Sequence, residues 1–111
     1  MHEMRLHPEP FDKIRNGTKT IEIRLNDEKR RLMRVGDSIE FSSRADPDKK
    51  FRAEITSLDY FPSFQEVFAA YPTEQYGGES KDDWEIMYTY YSPEEEAKYG
   101  VLGIHLKRLS Q

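Results

Sequence analysis

Three residues of one short stretch offer the chemistry in this sequence: Lys19, Glu22 and Arg24, set in Gly17-Thr18-Lys19-Thr20-Ile21-Glu22-Ile23-Arg24. An ammonium, a carboxylate and a guanidinium gathered this closely suit a ligand that carries phosphate and exocyclic amines. Lys19 would hold a phosphate as a point charge or, once desolvated, act as a base or nucleophile. Arg24 suits a phosphate or a base edge, and Glu22 suits an amine or the work of a general base. The alternative is structural: Lys19 is a surface lysine beside a turn, and Glu22 and Arg24 form an ion pair that closes the end of a sheet.

The element that must position them is a strand. Ile21, Ile23 and Leu25 alternate with Thr20, Glu22, Arg24 and Asn26, a period of two that gives one apolar and one charged face. Strict alternation sends Lys19 and Glu22 to opposite faces. They share a cleft only if Lys19 precedes the regular strand or a bulge intervenes.

The flanking elements follow from local signals. Met4 to Leu6 starts a short strand that Pro8 and Pro10 close. Pro10 fits the first turn of a helix whose buried side is Phe11 and Ile14 and whose end is Asn16-Gly17. Asp27 to Met33 reads as a polar helical turn carrying the basic cluster Lys29, Arg30, Arg31 and Arg34. Ser38–Arg44 and Phe51–Tyr60 pair as an antiparallel hairpin, with a turn at Asp46-Pro47-Asp48. Ser63 caps a helix that reaches Ala70, and residues 71–78 form a loop. Ser80 and Asp83 resemble a capping box, opening a helix with Trp84, Met87, Tyr88 and Tyr91 on one core stripe. Ser92-Pro93-Glu94-Glu95 starts another helix, ended by Gly100, and Val101 to Leu106 is a closing strand. Short strands around an aromatic core, with inserted and flanking helices, predict an α+β fold built on a small twisted barrel.

The composition bounds what such a fold does. At 111 residues the chain is one domain, residues 1–111, with 34% charged and 13% aromatic residues. The absence of cysteine removes disulfides, thiolate metal sites and Cys nucleophiles, and fits a reducing cytoplasm. His2, His7 and His105 lack ligand spacing, so neither a metal nor another cofactor is expected. No stretch reaches membrane-spanning length and the N-terminus lacks an apolar targeting segment. A net charge of −4 argues against a protein that coats nucleic acid without specificity. The charge is uneven, however: residues 1–55 hold 13 Lys and Arg against 11 Asp and Glu, whereas residues 56–111 hold 4 against 10. A polyanion would meet the first half, at Lys29, Arg30, Arg31 and Arg34 and then Arg44, Lys49, Lys50 and Arg52, unless these are simply a solvated face.

Gly17-x-Lys19-x-x-Glu22-x-Arg24 resembles the signature of the ASCH domain family, whose fold is similar to the PUA barrel. The likeness continues in Val35-Gly36-Asp37 and in Tyr90-Tyr91-Ser92 through Tyr99-Gly100-Val101-Leu102-Gly103-Ile104, and so spans nearly the whole chain. It implies a PUA-like β-barrel with a cleft beside the signature that takes RNA, a nucleotide or a modified nucleoside. Some members look like ribonucleases, and others are similar to amidohydrolases that remove an acyl group from modified cytidine. Such amidohydrolases use a Lys, a Thr three residues later and a more distant Glu. Lys19 matches the first, Glu22 stands in the threonine position with Thr20 the nearest threonine, and Glu74, Glu79 and Glu85 are candidates for the last.

The resemblance thus makes Lys19, Glu22 and Arg24 the polar wall of a ligand site, and Lys19 and Glu22 its catalytic residues if the protein is an enzyme. Tyr90, Tyr91 and Ser92 stand beside them. Aromatics there would stack a base, and Tyr90, lying off the core stripe, is the preferred one. Ser92 could touch a ligand, although the Pro-Glu-Glu after it marks a helix cap.

Overall fold

The computed structural model describes residues 1–109 and shows a mixed five-stranded sheet with helices inserted between its strands. The strands are β1 (His2–Leu6), β2 (Ile21–Leu25), β3 (Ser38–Ser43), β4 (Lys50–Phe61) and β5 (Val101–Arg108). They lie in the order β1-β3-β4-β5-β2. β1 runs parallel to β3, and the remaining neighbours are antiparallel. Among the described residues no ladder joins β1 to β2, so the barrel is open along that side.

Alternation decides which face of each strand is buried. Met4 and Leu6, Ile39 and Phe41, and Phe51, Ala53 and Ile55 point into one core with Leu102, Ile104 and Leu106. Phe11 and Ile14 of α1 (Pro8–Arg15) cover the same core. The other face of β2 and β5 carries a second core, in which Ile21, Ile23, Leu25 and Val101 pack on Phe64, Val67 and Phe68 of α2 (Phe64–Ala70). Ser63 caps α2, accepting a hydrogen bond from the Glu66 N–H. At the other end of α2, Tyr71 lies across the sheet, and its hydroxyl donates to Asp59 at 2.5 Å. That approach requires Gly103, because a Cβ there would stand 2.7 Å from the Tyr71 hydroxyl.

Two segments differ from expectation. Residues 71–78 are not all loop: α3 (Thr73–Tyr76) forms and ends at Gly77, which takes φ 78°. The aromatic segment Asp83–Thr89 is a 3₁₀ helix, repeating about every three residues rather than 3.6. Ser80 builds no capping box for it, since its hydroxyl instead accepts from the Asp82 N–H. Trp84, Met87, Tyr88 and Tyr91 still pack, partly buried, against the second core. The basic turn is short, with a 3₁₀ helix only at Arg30–Leu32. Ser92 and Glu95 form the capping box of α4 (Pro93–Tyr99), as the sequence predicts.

Candidate functional site

The register between β2 and β5 fixes the direction of the charged face. Glu22 lies opposite Ile104 and Arg24 opposite Leu102, and directly opposed residues share a face. Leu102 and Ile104 belong to the barrel core. Glu22 and Arg24 therefore occupy the inward face of the sheet on its edge strand, where the barrel is open.

Lys19 reaches the same place by preceding the strand. The Lys19 N–H bonds to the Lys13 carbonyl and the Thr20 N–H to the Gln75 carbonyl, and β2 starts only at Ile21. Freed from alternation, the Lys19 ammonium donates to Glu22 Oε1 at 2.7 Å. No bulge is needed in β2, whose register with β5 is unbroken. Gly77 passes directly over the lysine stem: a Cβ at that position would lie 3.2 Å from Lys19 Cδ.

Arg24 closes the group from the other side, with Nε and Nη2 each 2.9 Å from Glu22 Oε2. Glu22 and Lys19 are only 5% and 9% exposed. Burial alone would push the Glu22 pKa up, but the charges and hydrogen bonds of Lys19 and Arg24 overcome it and hold the carboxyl below its ordinary range. Burial likewise works against the Arg24 charge, while Glu22 and the Tyr91 hydroxyl more than restore it. The trio carries a formal charge of +1. Both Glu22 oxygens are occupied and the group stays ionised, which suits an anchor that aligns two cations better than a base waiting for a proton.

The trio floors a cleft of about 710 Å³. Its lining divides by element. β1, α1 and the residues just after β1 and β3 contribute Arg5, His7, Glu9, Lys13 and Arg44, of which Glu9 and Lys13 pair with each other, while residues 76–91 contribute Glu79, Asp83, Ile86 and Tyr90. Tyr90 is 62% exposed at the rim. Tyr91 also lines the cleft, and its ring stacks on Phe64 at 5.7 Å, tying the floor to the second core.

Ser92 is placed elsewhere: its hydroxyl accepts from the Glu95 N–H, and it is not part of the lining. The cap uses the group that a ligand would have needed. Thr20 is exposed and outside the cleft; of the three distant glutamates only Glu79 lines it. None of the basic cluster Lys29, Arg30, Arg31 and Arg34 is part of the lining. Arg30 pairs with Asp27, Arg31 donates to the Asn26 carbonyl and Arg34 to the Arg31 and Met33 carbonyls. Lys50 and Arg52 flank Glu40 on the hairpin. Sequence reasoning missed Arg5 as a cleft residue, because a polar position between Met4 and Leu6 has the pattern of an ordinary solvent face. Among the described residues no three His, Asp or Glu side chains come together as a metal would require, and no helix is long and apolar enough to cross a membrane.

Comparison with known proteins bears on the whole chain. A family model, the ASCH domain, matches residues 4–110. The crystal structure of the hypothetical protein PH0355 superposes with a TM-score of 0.85 at 32% identity, covering 96% of this chain and 97% of that one. The solution structure of PF0455 from Pyrococcus furiosus gives a TM-score of 0.76 at 28% identity, over 99% and 98% of the two chains. An ASCH protein from Zymomonas mobilis shares the fold at 15% identity and a TM-score of 0.68, over 95% of this chain and 65% of that one. No curated protein matches the sequence.

Proposed function

The chain belongs to the ASCH domain family, and from that premise we propose that it binds RNA or a nucleotide in the cleft floored by Lys19, Glu22 and Arg24. One observation carries the reading: a buried cation–carboxylate–cation group lies at the base of an open space of about 710 Å³. The group is largely buried, yet it lines a volume within the range of roughly 300–1,000 Å³ usual for small-ligand sites, beside an exposed tyrosine able to stack a base. Glu22 orients Lys19 and Arg24 and offsets part of their charge, so the cleft favours polar, anionic ligands without attracting every polyanion. A cysteine-free chain acting on RNA or nucleotides fits a cytoplasmic setting.

Binding without turnover suits the site better than hydrolysis, since Glu22 has no free oxygen and stands where the related amidohydrolases carry threonine. The test incubates the protein and Lys19→Ala with single-stranded RNA, nucleotides and an acylcytidine. Salt-sensitive binding that Lys19→Ala abolishes, with no product formed, is the expected result. Binding untouched by that substitution sinks the proposal. Deacylated or cleaved product that disappears in Lys19→Ala would place the same cleft among small hydrolases.

A further inference from the structure

The cations of the signature are already engaged. Lys19 and Arg24 both bond to Glu22, and Lys13 pairs with Glu9 at 2.9 Å. Among the described residues, Arg5 and Arg44 are the two cleft-lining arginines whose side chains have no ion pair or hydrogen bond. Arg5 lies on β1 and Arg44 one residue past β3, at one end of the β1–β3 ladder. Arg5 is registered with Ser42, two residues before Arg44, and the Arg44 N–H continues the ladder by bonding to the Leu6 carbonyl at 2.8 Å. Both are exposed and have no protein counter-charge, so they are free to meet an anion.

The 76–91 side of the cleft has the opposite character. Glu79 and Asp83 contribute carboxylates there, and Ile86 and Tyr90 expose 59% and 62% of their surface. A phosphate turned that way would meet two negative charges. An aromatic base turned that way would find a ring to stack on and acceptors for its amino groups.

Building on the proposed function, we infer that the cleft takes a nucleotide with a terminal phosphate in one orientation. Arg5 and Arg44 hold the phosphate monoester, and the base lies over Tyr90 beside Glu79 and Asp83. Paired guanidinium forks match the oxygens and the roughly two negative charges of a monoester. A phosphodiester inside a strand carries one charge and needs room for chain on both sides. The shared chemistry, a nucleotide ending in phosphate, is available as a free mononucleotide or as the end of an RNA strand.

The experiment measures affinities by calorimetry for cytidine and adenosine, for their 5′- and 3′-monophosphates, and for a short single-stranded RNA with and without a terminal phosphate. At least one phosphorylated probe should bind about ten- to a hundredfold more tightly than its dephosphorylated partner, the size of charge-assisted hydrogen bonds. Arg5→Ala combined with Arg44→Ala should erase that gain while nucleoside affinity and melting temperature stay unchanged. Tyr90→Ala should weaken nucleoside and monophosphate by the same factor and leave the gain intact. A gain seen only with mononucleotides marks a small-nucleotide site, and one seen only with RNA marks an end-binding site. Equal affinity with and without phosphate overturns the inference and leaves the cleft as a nucleoside or internal-RNA site. A phosphate gain that survives the double arginine variant, or vanishes in Tyr90→Ala, overturns the orientation. Failure of every probe to bind removes the proposed function itself.

Discussion

Glu22 and Glu96 are buried to nearly the same extent, at 5% and 9% exposure, and each has both carboxylate oxygens hydrogen-bonded. Their partners differ. Glu96 accepts from neutral donors, the Phe64 N–H at the start of α2 and the Tyr88 hydroxyl, each at 2.7 Å. It joins α4, α2 and the 3₁₀ segment from inside the packing. The hydrogen bond to Glu96, helped by burial, pushes the Tyr88 pKa up to about 12. Glu22 accepts from two cations, and its group opens onto a cleft. A carboxylate among neutral donors completes a fold. A carboxylate between cations at an opening leaves a net charge facing outward, ready for something else to meet it.

An amide swap separates the two regions most sharply. Glu22→Gln keeps the shape but leaves Lys19 and Arg24 facing each other with no negative charge between them. Removing one partner of a buried ionic group is costly, and a loss of about 3 kcal/mol is expected in urea denaturation. Glu96→Gln leaves no charge uncompensated, and the Tyr88 hydroxyl can turn to accept from the new amide. Its cost should be about 1 kcal/mol. Equal losses would mean that Glu22 is only another structural link.

Acid sharpens the same contrast. The folded state holds the Glu22 pKa below its ordinary value of 4.5 because Lys19 and Arg24 outweigh the effect of burial. A depressed folded pKa means that ionised Glu22 stabilises the fold at every pH above 4.5, and that this contribution fades as pH falls through the folded value. The stability gap between the protein and Glu22→Gln should therefore be full at neutral pH and close under acid. A gap of constant size from pH 7 to pH 3 would contradict an ion-paired Glu22.

The two glutamates also differ in how far sequence reveals them. Glu22 is legible because its strand gathers opposite charges on one face, a carboxylate between isoleucines and two residues from an arginine. Glu96 ends the run Glu94-Glu95-Glu96 at the start of a helix, where acids are expected on solvent grounds alone. Its role depends on α2 packing against it from 32 positions away. The hairpin β3–β4 follows from alternation, since one residue of slip would bury its polar side chains, and the closing strand β5 follows from a short apolar run that is buried on both faces. The placement of Lys19 does not follow: periodicity describes residues within a strand, and Lys19 is held ahead of β2 by its own N–H bond to the Lys13 carbonyl and by the Thr20 N–H bond to the Gln75 carbonyl. Arg5 is opaque for a related reason. It becomes a cleft wall only because β1 is left unpaired on one side, a property of the whole sheet.

The substitution with the smallest expected effect on stability tests the open side of the comparison alone. Tyr90 leaves 62% of its surface exposed and lies in no core cluster. Tyr90→Ala should accordingly change unfolding free energy by no more than about 0.5 kcal/mol. Tyr91 differs: its ring stacks on Phe64 and also lines the cleft, so truncating it disturbs fold and cleft together. If a base stacks at the rim, Tyr90→Ala should weaken nucleoside and nucleotide binding by about 1–3 kcal/mol, the range found for aromatic platforms under single bases. Calorimetry beside a denaturation curve would read both quantities on one sample. A stable variant with impaired binding assigns Tyr90 to the ligand; unchanged binding leaves Lys19 and Arg24 as the floor of a cleft whose aromatic rim has no part in recognition.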